Sequence, residues 1–254
     1  MRACGIGTTT FGVGEDFDEA LLQGMADAGG GHFSYIERPE QITDLIASEV
    51  GELLEIVARD AAIELTAPDG MTIRPLSPYL FEQSGSRSVL LLGDLVAEQH
   101  LEAVVRIKFG YGTPDSEVGI LVGATDRDGT LAAAGFAPVA IGWRYADDRA
   151  NDAQPRDRSV DRRVAALFAA RARQDAVKLN RLGDYREAVK EFREVAEKIR
   201  FYADRDPELN AIWHALRDEE ARWAAPAPEM ERKVAFAAAS YSLRSRGPEG
   251  KAGR

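Results

Sequence analysis

The period of the apolar pattern changes twice along the 254 residues, and this constrains the fold more than any other feature. Up to about residue 58, apolar side chains form short β-branched runs or recur at helical spacing. From about 59 to 146 they alternate with period two, and beyond 157 the helical spacing returns. No single layer of uniform architecture satisfies all three patterns, so the sequence predicts three consecutive units.

The first unit reads strand, helix, strand, helix. Thr8 to Val13 is a β-branched and aromatic run ending at Gly14. Asp16 is placed to cap a helix with Glu19 as its reciprocal partner, and Leu21, Leu22, Met25 and Ala26 make one apolar face. Gly29, Gly30 and Gly31 end that helix, because glycine takes left-handed conformations without steric cost. His32 to Ile36 forms a second strand. Pro39 then opens a helix carrying Ile42, Leu45, Ile46, Val50, Leu53, Leu54 and Val57. Alternating strands and helices imply parallel pairing.

In the second unit Ile63 and Leu65 alternate before the Pro68-Asp69-Gly70 turn, Val89 to Leu92 is a continuous apolar run, and Leu101 to Phe109 alternates. A strand at Val118 to Ala124 is expected to turn through Asp126-Arg127-Asp128-Gly129 into another at Thr130 to Ala134. Short strands without intervening helices predict an antiparallel β-sandwich. Residues 147–157 are polar and contain Pro155, as a linker would. Residues 158–246 then hold three or four helices, the later ones opened by Pro207 and Pro228, and 247–254 is expected to be a disordered tail.

Charge is unevenly placed within the net of -10. Residues 1–60 carry 12 acids against 3 bases, 61–150 carry 12 against 7, and 151–254 carry 18 against 22. The acidic first unit and basic last unit could attract each other or a partner, or stay separately solvated. An acidic chain without a dense Lys/Arg block is disfavoured for nucleic acid, since affinity there needs clustered cations. Cys4 cannot form an internal disulfide, and His32, His100 and His214 lack the local spacings of zinc motifs, so no cofactor or transition-metal site is expected. The first residues lack a long apolar run, so the sequence predicts neither a signal peptide nor a membrane span, and a cytoplasmic location.

The stretch TTFGVGEDFDEALLQGMADAGGGHFSYIERPEQI resembles the last strand-helix-strand-helix unit of a bacterial von Willebrand factor A (VWA) domain. LLLGDL at 90–95 and LNRLGDYREAVKEF at 179–192 resemble regions that follow VWA domains in some of those proteins. The resemblance implies a multi-domain α+β chain: a partial VWA-like α/β segment at 1–58, a β-sandwich at 59–146, the 147–157 linker and a helical domain at 158–246. It also implies that the metal-bearing half of the VWA domain lies before residue 1, because the D-x-S-x-S motif that supplies oxygen ligands to Mg²⁺ is absent. The nearest approach, Asp157, Ser159 and Asp161, precedes a helix and reads as a cap.

Other candidates have plain readings. Gly12-Val13-Gly14 is followed by Glu15, Asp16 and Asp18, whose charge opposes a phosphate, so it reads as a strand-to-helix turn. Asp126-x-Asp128-Gly129 lacks the later acids of a calcium loop. His32, near Glu37, has no nucleophile or second histidine close in sequence and reads as a partly buried residue. Trp213 and Trp223 read as helix anchors. Gly183-Asp184-Tyr185, Ala188 and Phe192 match half of a tetratricopeptide pattern, so a lone helical hairpin is expected.

With no catalytic, cofactor or metal residues assignable, the expectation is a non-enzymatic protein-interaction polypeptide. One alternative is the C-terminal part of a metal-dependent VWA protein, and another is an enzyme whose site leaves no sequence signature. Two parallel strands make too small a sheet, so the first 58 residues are expected to be poorly covered and least stable, with residues 8–36 open to self-association or to a partner bearing further strands.

Overall fold

A computed structural model describes residues 6–247 and 251–253. Cys4 and part of the expected tail lie outside the described residues. The first unit contains β1 (Thr8–Val13), α1 (Glu19–Gly29), β2 (Gly30–Ile36) and α2 (Gln41–Leu54), with β1 and β2 paired in parallel. Asp18, rather than Asp16, caps α1 by accepting from the Leu21 N–H, because the chain turns two residues later than the spacing suggested. Gly30 ends the helix at φ 77°. Val57, expected on α2, instead belongs to the next strand.

The middle unit is built from β3 (Ile56–Thr66), β4 (Thr72–Pro75), β5 (Leu80–Ser84), β6 (Arg87–Val96), β7 (Val105–Lys108), β8 (Glu117–Thr125) and β9 (Val139–Arg144). Its main feature is a five-stranded antiparallel sheet in the order β5-β6-β3-β8-β9, with β4 and β7 forming a separate antiparallel pair. Leu65, Ile73, Tyr79, Leu90 and Ile120 form the core between them. The strand expected at Thr130 to Ala134 is not formed. Asp126 accepts from the backbone N–H groups of Asp128, Thr130 and Leu131, which nucleates a single helical turn, α3 (Thr130–Ala133), and the strand forms later as β9. The linker likewise contains a short helix, α4 (Asp148–Asp152), capped by Asp147.

Four helices follow: α5 (Arg158–Leu182), α6 (Tyr185–Ala203), α7 (Pro207–Trp223) and α8 (Glu229–Leu243). Asp157 caps α5, and Gly183 at φ 83° ends it. Asp206 and Pro207 start α7. Ala188 and Phe192 of α6 are fully buried, with the Phe192 ring stacked on Trp223 at 6.2 Å between centroids. Among the described residues no helix is long and apolar enough to cross a membrane.

The first unit is covered on one flank. Ala26 of α1 and Phe33 of β2 belong to the same buried cluster as Phe192, Leu216, Trp223, Phe236 and Tyr241. The Tyr241 hydroxyl accepts from the Tyr35 backbone N–H. At the start of β2 the chain approaches β6 so closely that a Cβ on Gly93, itself at φ 95°, would lie 2.8 Å from the Gly30 carbonyl oxygen. The tail is also tied down in its described part. Arg246 bridges Ala252, the Gly247 N–H donates to Lys251, and the His100 N–H donates to Gly253. The first two contacts are local to the segment, whereas Gly253 reaches His100 across the fold.

Charge complementarity joins the same two regions. Lys233 of α8, 1% exposed, points its ammonium at the Phe17 carbonyl (2.6 Å), Glu19 (3.2 Å) and Glu229 (3.4 Å), and lies 3.9 Å above the Phe17 ring. Glu19 is equally buried and takes Arg181 on its other oxygen at 2.9 Å. Arg244 pairs with Asp27, and Arg246 with Glu52. The acidic first unit and basic last unit therefore attract each other.

Two substitutions test this packing. Phe192→Ala is expected to lower unfolding free energy by about 3 to 5 kcal/mol, measured by denaturant titration, because its site is closed on all sides. Lys233→Met should cost a similar amount, about 3 to 5 kcal/mol, since it leaves Glu19 buried with one partner fewer.

Candidate functional site

A cleft of 290 Å³ lies where the first unit, the main sheet and the C-terminal segment meet. Its lining includes Thr9 of β1, His32 of β2, Glu49 and Glu52 of α2, Asp94 of β6, and Arg246. His32 reaches this cleft because Gly30 and Gly31 carry the chain past β6 with no side chain in the way. A Cβ on Gly31 would fall 2.3 Å from the Thr8 carbonyl oxygen. Glu49 and Glu52 share one face of α2 because they are three residues apart.

The side chains form a connected set. His32 Nε2 lies 2.7 Å from Glu49 Oε2, and the Thr9 hydroxyl donates to Glu49 Oε1 at 2.8 Å. Both oxygens of Glu52 accept from Arg246, at 2.9 and 2.8 Å, and Oε1 also accepts from the Ala252 N–H at 2.9 Å. Donor atoms of His32, Glu49 and Glu52 all lie within 4.8 Å of one another. Burial pushes the Glu49 carboxyl up. The hydrogen bond and charge of His32, the Thr9 hydroxyl and the Arg246 charge outweigh it, so the group sits below the usual carboxylate range.

The structure pairs His32 with Glu49 rather than with the Glu37 that stands near it in sequence. This pairing left no local signal, since the partners are 17 residues apart on different elements. The other candidates are separate from the cleft. Asp157 caps α5 by accepting from the Ser159 and Val160 N–H groups and from the Ser159 hydroxyl, while Asp161 accepts from Nε and Nη2 of Arg156 at 2.8 and 2.6 Å. Gly12 accommodates the Phe17 ring, which a Cβ would strike at 2.3 Å. Asp126 serves the α3 turn. Trp213 lies beside His214, under the Arg200 guanidinium, and Trp223 is core.

No protein-family model matches the chain. The uncharacterized protein YfbK of Escherichia coli (strain K12) is 34% identical over 66 residues, which are 26% of this chain and 12% of YfbK. A solved structure of a von Willebrand factor type A protein from Catenulispora acidiphila superposes with a TM-score of 0.62 at 18% identity, covering 93% of this chain and 57% of that one. This chain has a VWA-like fold. Coverage of 93% means that the likeness includes the antiparallel sheet and the helices as well as the first unit. The ArnB paralog VWA2 from Sulfolobus acidocaldarius aligns over 95% of this chain and 56% of that one, with a TM-score of 0.47 and 17% identity. The chain thus spans a little over half the length of these solved relatives and a small part of YfbK.

The Glu49 environment predicts a pH signature. A carboxyl held below its unfolded value contributes stability above that unfolded value, about pH 4 to 5, and loses it as pH falls through the folded value. Glu49→Gln should therefore be less stable than wild type near neutral pH, and the gap should close as the sample is acidified. Thermal melts of both proteins from neutral to acid pH check this.

Proposed function

We propose that this VWA-like chain is a non-enzymatic protein-interaction polypeptide whose partner adds strands to β1. One observation carries the reading. Among the described residues β1 pairs on one side only, with β2, and no residue of α2 is fully buried. Ile46, Val50, Leu53 and Leu54 of α2 are all at least 49% exposed, with Leu54 at 84%, and Leu21 and Met25 of α1 are exposed as well. Unpaired strand edges and uncovered apolar helix faces are what β-addition and helix docking use. Residues 8–36 are well buried towards α8, so the open surface is the opposite flank of this unit.

The antiparallel sheet with its β4-β7 pair is read as a sandwich-like unit, and the α5 to α8 helices as a helical unit, together supporting the α/β segment in a multi-domain arrangement. A second reading starts from the 57% of the Catenulispora acidiphila protein's length that this chain covers. In it the chain corresponds to the C-terminal part of a longer VWA protein, whose preceding strands would pair with β1 and whose loops would hold the metal. Either way, the α/β surface at β1, α1 and α2 is the functional one.

Sedimentation velocity over about a hundredfold range of concentration tests the proposal. The expected result is concentration-dependent self-association that Leu53→Glu with Leu54→Glu reduces. A monomer throughout, with strong hydrogen-exchange protection of residues 8–13, would mean that the sheet is complete as it stands, and the reading would be wrong.

A further inference from the structure

We propose that His32, Glu49 and Glu52 bind a zinc ion in the 290 Å³ cleft. The reading of sequence spacing argues against such a site, but spacing detects only ligands that lie close together along the chain. Here one ligand comes from β2 and two from α2, and the fold alone brings their donor atoms within 4.8 Å. One imidazole nitrogen with two carboxylates is a donor set suited to zinc, whereas calcium and magnesium favour all-oxygen sets.

Both glutamates of the site are already held by outer partners. Thr9 orients Glu49, while Arg246 and the Ala252 N–H orient Glu52. A carboxylate offers about four lone-pair positions, so these bonds leave an acceptor free on each glutamate. Outer partners of this type fix ligand direction and raise affinity. Arg246 is bound to Glu52, and across the cleft lining the three carboxylates of Glu49, Glu52 and Asp94 exceed the two guanidiniums of Arg59 and Arg246, which leaves a net negative cleft for a divalent cation to neutralise. His32 Nε2 and Glu49 Oε2, at 2.7 Å, must separate slightly to admit an ion with ligand distances of about 2.0 to 2.2 Å. Three protein ligands leave a fourth position facing the open cleft, where water or a partner's side chain can coordinate.

Calorimetric titration of the full chain, first stripped of metal by a chelator, with zinc chloride tests the site. Cobalt(II) absorption serves as a second readout of four-coordinate geometry. The expected result is one zinc per chain with micromolar or tighter affinity, weakened at least about tenfold by His32→Gln and by Glu49→Gln. His32→Gln retains a donor for Glu49, and thermal melting confirms that each variant is folded. His100→Ala is the control, since the His100 side chain is 75% exposed, lies 3.6 Å from Glu102 and does not line the cleft, while its backbone bond to Gly253 is kept. Substoichiometric binding, binding insensitive to both cleft variants, or binding lost in His100→Ala would overturn the proposal.

Discussion

The buried ion pair between Lys233 and Glu19 is the contact on which the rest of the arrangement depends. Neither charge could be left alone at 1 to 2% exposure, so α1 and α8 must dock together, and Arg181 and Glu229 complete the set. A pair of this type is not a large net source of stability, because desolvation offsets most of the Coulomb attraction. Its consequence is geometric. It sets α1 against the helices and thereby carries β2, with Phe33 and Ile36, into the core.

Once β2 is held there, its glycine-rich start runs beside β6 at Gly93, and His32 projects into the cleft beneath α2. The cleft is closed from the C-terminal side by Arg246 and Ala252 on Glu52. Four separate stretches of the chain thus meet at one small polar cluster. The same docking leaves the other flank of the first unit exposed, with α2 presenting its apolar face outward. The polar cleft and the apolar surface are two results of one placement of the β1-β2 unit.

The likeness to the Catenulispora acidiphila protein covers 93% of the chain at 18% identity and is a likeness of fold. It unites what the periodicity separated. The three units differ in local pattern, but the first and last share one buried cluster and oppositely charged surfaces, so they behave as parts of one body rather than as independent beads.

Local pattern by itself determined the parallel strand-helix-strand start, the main antiparallel strands and the four C-terminal helices, because apolar period, proline starts and glycine stops are properties of neighbours in the chain. It also placed Phe192 inward and Asp157 as a cap. It failed at Thr130 to Ala134, where three N–H bonds to Asp126 outweighed strand pattern, and it gave no sign that the described Ala252 and Gly253 meet Glu52 and His100. Glu19 shows the division most clearly. In sequence it is a capping residue, whereas in the fold it is a buried anion, because its partners Lys233 and Arg181 are distant in the chain. The meeting of His32 with Glu49 and Glu52 is of the same kind. Local forces choose the elements, but which charges meet depends on how those elements pack, and only the tertiary structure decides that.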